Sequence, residues 1–306
     1  MTETFDPFEN KTEISASSRK LYTHNLSKLN KGKPIKNLNF LQPPAILEGL
    51  QSLNPNTRRT YLIAIVSALK DRPEAKYKKL YTRYYAELIN LNGELKNNTT
   101  KSEKQEKNWI EQDDVMGKCG DLKDILDEIK GKKKISESEY NRLLDLVVLS
   151  LYCLQAPRRN KDYIDMMVVK KTPESNENNY LNIADGEWIF NNYKTQKTYQ
   201  QKVLPIPSDL QDILKVYLAH HPEAKELKKK NPVVPFLVKY NGTLLKTSTD
   251  MTRMLNKILG GKVGSSMLRN IFLTDKYGDT QKEMAKDTAA MGTSVETATN
   301  NYIKRD

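Results

Sequence analysis

The chain has 306 residues, of which 38% are hydrophobic and 29% are charged, with a mean hydropathy of −0.70. No apolar run approaches the roughly 18 residues of a membrane-spanning helix, and the first residues lack the basic and apolar regions of a secretory signal, so we expect no membrane partner. The net charge of +12 favours a polyanionic partner, because each phosphate that a protein neutralises releases counterions.

The N-terminal third predicts an all-α domain. Residues 1–12 are expected to form a flexible or loosely docked arm. Apolar periodicity then predicts helices over 15–29, 40–50, 58–70 and 77–95. Asn54-Pro-Asn-Thr57 provides a cap for the third of them. We therefore expect a helical domain over residues 13–95, followed by a polar linker over 96–106.

Residues 107–306 are expected to form a second domain with a small sheet. A Ser136-x-x-Glu139 capping box begins a helix over 136–155, which follows a shorter helix over 121–130. Strands are predicted around the turn Asp185-Gly186, over 166–170, 180–184, 187–193 and 201–206. Helices return over 208–220, 248–259, 265–277, 280–290 and 294–303. The fold class is mainly α with a small antiparallel β-sheet, giving an α+β second domain.

The two cysteines, Cys119 and Cys153, have neither CxxC spacing nor metal-ligating neighbours. This usage predicts a reduced, intracellular protein.

A pair of arginines follows the helix over 136–155. Arg159 precedes the acidic residue Asp162 by three positions, and the apolar Met166 closes the segment. The ordinary interpretation is a surface pair that an acidic neighbour neutralises. Taken alone, the segment favours this ordinary interpretation.

The connection between the strands over 187–193 and 201–206 is polar and carries two lysines. Lys194 is followed by threonine and then by a Val-Leu-Pro strand, and Lys197 lies three residues further on. Most hairpin lysines are simply solvated.

Ser266-Met-Leu-Arg269 places a hydroxyl and a guanidinium on one face of a helix whose buried stripe includes Leu268 and Ile271. Both groups can bond a phosphate. Ser266, or Ser265 before it, can instead cap the helix.

Thr293 precedes Tyr302 by nine residues. With Glu296 it has the pattern of a capping box, so capping is as good an interpretation as phosphate contact. Tyr302 shares a helical face with Val295 and Ala298, and is either a core tyrosine or a nucleophile.

The order and spacing of these six residues resemble those of the tyrosine recombinases, the integrase family that cuts and rejoins DNA. The Pro-x-Arg-Asn segment is most similar to recombinases of large DNA viruses and eukaryotic mobile elements. Ser266 and Thr293 occupy positions where the family usually has histidine. The three histidines, His24, His220 and His221, lie outside the motifs.

The resemblance implies a site-specific DNA recombinase or integrase. Arg159 and Arg269 would hold the phosphate, with Arg158 as the second candidate for the first of these arginines. Lys194, or Lys197 as its second candidate, would protonate the leaving 5′ oxygen. Tyr302 would form a covalent 3′-phosphotyrosine, without a metal or nucleotide cofactor. It also implies two domains forming a C-shaped clamp on double-stranded DNA, assembly as a homotetramer on that DNA, and a location in the cytoplasm or nucleus of a host, or in a virion.

Two alternatives share these residues. A type IB topoisomerase-like nicking–closing enzyme uses the same Arg-Lys-Arg-Tyr plan. A DNA-binding protein of recombinase descent would keep the fold without cleaving, as the missing histidines suggest.

Overall fold

The computed structural model describes residues 5–9, 11, 13–42, 44–97, 100–174 and 177–304. The chain divides into two compact units, Met1–Thr100 and Lys101–Asp306. Among the described residues, no helix combines the length and the apolar character needed to span a membrane.

The first unit is helical, as predicted. Its helices are α1 (Ala16–Leu29), α2 (Pro44–Gln51), α3 (Pro55–Leu69) and α4 (Ala75–Asn97), with a 3₁₀ turn at Asn39–Leu41. The predicted cap of α3 is confirmed, since the Asn54 side chain accepts a hydrogen bond from the Asn56 N–H at 3.0 Å. Ile65 and Leu69 of the predicted stripe are buried in the core of this unit.

Part of the stretch predicted as a flexible arm, residues 1–12, lies against these helices. Phe8 is 1% exposed within the core. Arg72 donates hydrogen bonds to the backbone oxygens of Asp6 and Pro7, and Arg19 donates one to the backbone oxygen of Phe8. An apolar anchor and backbone contacts thus dock the described part of this segment.

In the second unit the other elements pack around one long buried helix, α7. Most residues of α7 belong to the hydrophobic core. In chain order its helices are α5 (Glu103–Asn108), α6 (Gln112–Glu128), α7 (Glu137–Cys153), α8 (Lys161–Ile164), α9 (Gln196–Tyr199), α10 (Ser208–Ala219), α11 (Ala224–Leu227), α12 (Ser248–Leu259), α13 (Ser265–Ala290) and α14 (Val295–Thr297). α5 begins inside the predicted linker, where Ser102 and Gln105 form a capping box.

The predicted sheet exists, but it is mixed rather than antiparallel. Its strands are β1 (Met167–Val169), β2 (Tyr180–Asn182), β3 (Glu187–Phe190), β4 (Lys202–Pro205) and β5 (Val233–Pro235), in the order β4-β3-β2-β1-β5. β1 and β2 pair in parallel because the chain crosses back before β2 begins, while the other pairs are antiparallel. The sequence did not predict β5.

The turn between β2 and β3 follows its sequence signal. Gly186 has a φ of +67°, which glycine adopts without steric cost. The Asn182 side-chain oxygen accepts hydrogen bonds from the N–H groups of Ala184 and Asp185. The Asp185-Gly186 turn is therefore confirmed.

The largest difference from the prediction is at the C-terminal end. Instead of separate helices over 265–277 and 280–290, α13 is one continuous helix of 26 residues. The last predicted helix, 294–303, is short: α14 continues directly into a π-helical turn over Ala298–Tyr302.

The predicted capping box of α7 generates a pH-dependent prediction. Lys132 first, and then Ser136, lower the pKa of Glu139 from 4.5 to about 2 through hydrogen bonds. A lowered pKa means that the carboxylate stabilises the fold above pH 4.5, and that this contribution is lost as the pH falls toward 2. In urea unfolding followed by circular dichroism, we expect Glu139→Gln to be less stable than wild type at pH 7. The difference should shrink between pH 4.5 and pH 2, and a constant difference would contradict this role.

Candidate functional site

An open cleft of about 280 Å³ lies in the second unit, where the segment after α7, the β3–β4 hairpin and α13 meet. We call it the arginine cleft. Four cations and one carboxylate are among its lining residues, which are Pro157, Arg158, Arg159, Asp162, Tyr193, Thr195, Tyr199, Lys202, Leu204 and Arg269.

A buried ion pair forms one wall of the arginine cleft. Asp162 is 2% exposed and accepts a hydrogen bond at 3.0 Å from Nε of Arg158. The Arg158 guanidinium also lies 3.7 Å from the ring centroid of Phe190 and 5.1 Å from that of Tyr193. Because its charge and its plane are both engaged, Arg158 has a structural role in this wall.

Burial raises the pKa of the Asp162 carboxyl, and the positive charge of Arg158 opposes this shift. The second carboxylate oxygen, Oδ1, is buried and has no hydrogen-bond partner among the described residues. Asp162 therefore has fewer hydrogen-bond donors than its two oxygens can accept. The cations around it are needed to keep the carboxylate ionised.

Arg159 is held at the cleft through its neighbour Asn160, which is 4% exposed. The Asn160 side chain accepts a hydrogen bond from the Tyr152 hydroxyl at 2.6 Å and donates to Ser248 O and to Thr252 Oγ1. The Arg159 carbonyl accepts from the Asp162 N–H at 2.9 Å. The backbone at Arg159 is thus fixed between α7 and α12, while its side chain stays available.

Arg269 reaches the same cleft from the first turns of α13. Leu268 and Ile271 are buried in the core, as the predicted stripe requires, and they fix the side of the helix that faces the cleft. Burial lowers the pKa of the Arg269 guanidinium, and the positive charge of Arg159 lowers it further. The two guanidiniums are therefore close enough to repel each other.

The guanidiniums of Arg159 and Arg269 make no salt bridge and no hydrogen bond among the described residues, although the Asp162 carboxylate attracts both charges. At Arg269 the repulsion from Arg159 outweighs the attraction of Asp162, and an anion bound between the two guanidiniums would relieve this repulsion. The site is therefore suited to an anion such as a phosphate, whose oxygens match guanidinium donors.

Asn179 joins this wall to the β3–β4 hairpin, and sequence reasoning missed it. Its side chain, 5% exposed, donates to the backbone oxygens of Asp162 and Asn192 and accepts from the N–H groups of Asn191 and Asn192. The sequence shows only that an asparagine directly precedes a predicted strand. It does not show the hydrogen-bond partners of this asparagine, because they lie in two other segments of the chain.

The hairpin brings a different lysine into the cleft from the two predicted. Lys194 and Lys197 are exposed and do not line it, although Thr195, next to Lys194, does. Lys202 lines it together with Leu204. Alternation along a strand puts residues 202 and 204 on one face, so the pattern of the predicted strand contained this signal.

Neither Ser266 nor Thr293 lines the arginine cleft. Ser266 is exposed in the first turn of α13, whose N-cap residue is Gly264, so neither Ser265 nor Ser266 caps it. The predicted Thr293–Glu296 capping box is wrong, because the N-cap is Ser294, whose hydroxyl accepts from the Thr297 N–H.

Tyr302 lies outside the arginine cleft in this structure. Its side chain is 58% exposed, so it is not a core tyrosine, and it does not line the cleft. Of the six candidates, the structure brings together Arg159 and Arg269, with Arg158 beside them.

In the described part of the chain, no three His, Cys, Asp or Glu side chains are grouped so that they could hold a metal ion. No protein-family model, curated protein or solved structure matches this chain. The geometry and charges of the arginine cleft are therefore the basis on which a function can be proposed.

The different surroundings of the two adjacent arginines give a matched pair of variants. Arg158→Ala would leave the buried Asp162 carboxylate without its partner, which we expect to cost about 3 kcal/mol of unfolding free energy. Arg159→Ala removes an unpaired charge, so we expect a change within about 0.5 kcal/mol. Urea unfolding of both variants checks this, and a greater loss for Arg159→Ala would overturn the assignment.

Proposed function

We propose that this protein is a site-specific DNA recombinase or integrase that cleaves and rejoins strands through a covalent bond between Tyr302 and a 3′ phosphate. The observation that carries the proposal is the pair of unpaired guanidiniums, Arg159 and Arg269, at one cleft. These residues were candidates from sequence order alone, on elements far apart in the chain.

The chemistry follows from where charge develops. Attack on a phosphodiester builds negative charge on its non-bridging oxygens, and two guanidiniums can bind these oxygens without losing their own charge. A field that exists before the reaction needs little reorganisation, so it stabilises the transition state more than the ground state. Arg159 and Arg269 would supply this field, with Lys202 adding to it.

The leaving 5′ oxygen needs a proton, and Lys194 is the proposed donor. The resemblance supports this role, and so does its position next to Thr195 at the rim of the cleft. Tyr302 would be the nucleophile, and the phosphotyrosine bond would conserve the energy needed for rejoining. The exposure of the Tyr302 residue is compatible with attack on a substrate that arrives from solvent.

Double-stranded DNA is the proposed partner. Both units carry more Lys and Arg than Asp and Glu, and the whole chain has a net charge of +12. In the proposal, the helical unit and the catalytic unit close around the duplex as a C-shaped clamp, and four copies assemble on two DNA sites.

A second candidate function is supported by the position of Tyr302 outside the cleft. A DNA-binding protein of recombinase descent that no longer cleaves would need the cationic cleft but not the tyrosine. The covalent-adduct experiment separates the two functions.

We expect a nicked DNA substrate, from which the short 5′ product diffuses away, to trap a covalent protein–DNA adduct. Tyr302→Phe should abolish the adduct, because phenylalanine has no hydroxyl to attack with. Tyr277→Phe is the matched control, since Tyr277 is also an exposed tyrosine of the C-terminal region, and it should form the adduct as wild type does. Denaturing gel electrophoresis measures the adduct. An adduct that persists in Tyr302→Phe would rule out this nucleophile.

A change of leaving group distinguishes the proposed roles of Lys194 and Lys202. A substrate with sulfur in place of the bridging 5′ oxygen releases a thiolate, which needs no proton from the protein. We expect Lys194→Ala to be slow on normal DNA, by a factor on the order of 100, and to recover on the sulfur substrate. Lys202→Ala should lose activity on both substrates equally. Recovery of Lys202→Ala alone would assign the proton donor to Lys202.

A further inference from the structure

The sequence in the middle of α13 has the signals of a boundary between two helices, although α13 is continuous. Gly278 is its one glycine, and Thr280-Gln-Lys-Glu283 directly afterwards has the pattern of a capping box, which normally begins a helix. A glycine that ends one helix and a cap that begins the next is the signal for two helices. The structure has a single helix there.

This continuity carries Tyr302 away from the arginine cleft. At 1.5 Å per residue, Thr288 lies about 28 Å along the helix axis from Arg269. The chain then turns at Gly292, where φ is +70°, and the Thr293 N–H bonds back to the Thr288 carbonyl at 2.9 Å. The terminal segment with Tyr302 is thus attached at the far end of α13.

Little packing holds the middle of α13 straight. No residue over 273–287 is buried, and the exposed side chains include the large apolar Leu273 and Tyr277 just before the glycine. The ion pair that follows it, Lys282–Asp279, is local and exposed. A glycine inside an exposed helix weakens it further, because its backbone loses more freedom on folding.

We infer that Gly278 is the hinge at which α13 bends on DNA, bringing Tyr302 back from the far end of the helix to the arginine cleft. The inference rests on the proposed function of Tyr302. In the bent form Gly278 would end the first helix, Thr280 and Glu283 would cap the second, and the terminal segment would turn back along the first. Gly278 is thus a positioning residue, which acts through Tyr302.

The main test is Gly278→Ala. A Cβ at this position would meet Thr274 Cγ2 at 3.6 Å, an ordinary contact, so alanine fits the straight helix and stabilises it. We expect adduct formation on the nicked substrate to slow about fivefold, the ratio that corresponds to the helix preference of alanine over glycine. DNA affinity should fall by no more than the same factor, because DNA binding and bending are coupled, and the thermal midpoint should not fall.

Two further variants make the test specific. Thr280→Ala removes the unused cap and should also slow adduct formation, although it lies two residues from the glycine. Gly120→Ala is the matched control, because Gly120 is an exposed glycine in the helix α6 with nothing within 4 Å of an added Cβ. It should form the adduct at the wild-type rate.

A distance measurement reports the bend directly. The spin-label positions, Lys286→Cys in α13 and Asp212→Cys in α10, are both exposed, whereas the native Cys119 and Cys153 are buried. By double electron–electron resonance, we expect DNA to produce a second, shorter distance. In the Gly278→Ala background this second distance should be absent or strongly reduced.

The outcomes separate the hinge from the proposed function. If wild type forms no adduct on any cognate site, the proposed function fails. If wild type forms the adduct and Gly278→Ala forms it equally fast without altering the distances, only the hinge fails. The hinge is also overturned if an equal mixture of Arg269→Ala and Tyr302→Phe forms the adduct, because Tyr302 would then come from a second copy.

Discussion

A carboxylate that is 2% exposed can remain ionised only when cations lie against it, and Asp162 obtains its first cation from Arg158. This pair fixes the wall from which the arginine cleft is built. Asn179 binds the backbone of the same segment and connects it to the β3–β4 hairpin. The remaining cations reach the cleft from other elements, Arg159 through the buried Asn160 and Arg269 through the packing of α13.

The two adjacent arginines, Arg158 and Arg159, have different roles in the cleft. Arg158 is occupied by Asp162 and by the ring of Phe190, so its charge is largely compensated inside the protein. Arg159 and Arg269 make no such ion pair in the described structure, and the charge of Arg159 lowers the pKa of Arg269 by more than Asp162 raises it. The protein thus stores electrostatic free energy at the cleft, which an anionic ligand would release.

Helix α13 connects this cleft to the proposed nucleophile. Its first turns are anchored by Leu268 and Ile271, whereas its middle is exposed and held mainly by its own backbone hydrogen bonds. An element that is rigid at one end and weakly supported further on can move without disturbing the core. The anion site and the tyrosine can therefore be separate in the free protein and still be joined in one reaction.

Local signals predicted most of the elements. The caps at Asn54 and Ser136, the turn at Asp185-Gly186 and the apolar stripe of α13 each depend on residues within a few positions, so the sequence contains all that determines them. The mixed sheet and β5 were missed because strand pairing joins distant segments, and the cost of closing such loops is not visible locally. At α13 the local signal for a break competes with helix propagation, which adds a hydrogen bond for each residue, and propagation prevails.

The sequence by itself determined a basic chain with a helical N-terminal part and a small sheet in the C-terminal part, because composition and periodicity carry that information. Arg159 and Arg269 were anion-binding candidates because their motifs resemble those of the recombinases. Only the tertiary structure decided that these two arginines meet without partners, that Arg158 is bound to Asp162, and that Lys202 rather than Lys194 lines the cleft. Which charge is compensated depends on burial and on neighbours that are distant in the chain, and folding alone brings those neighbours together.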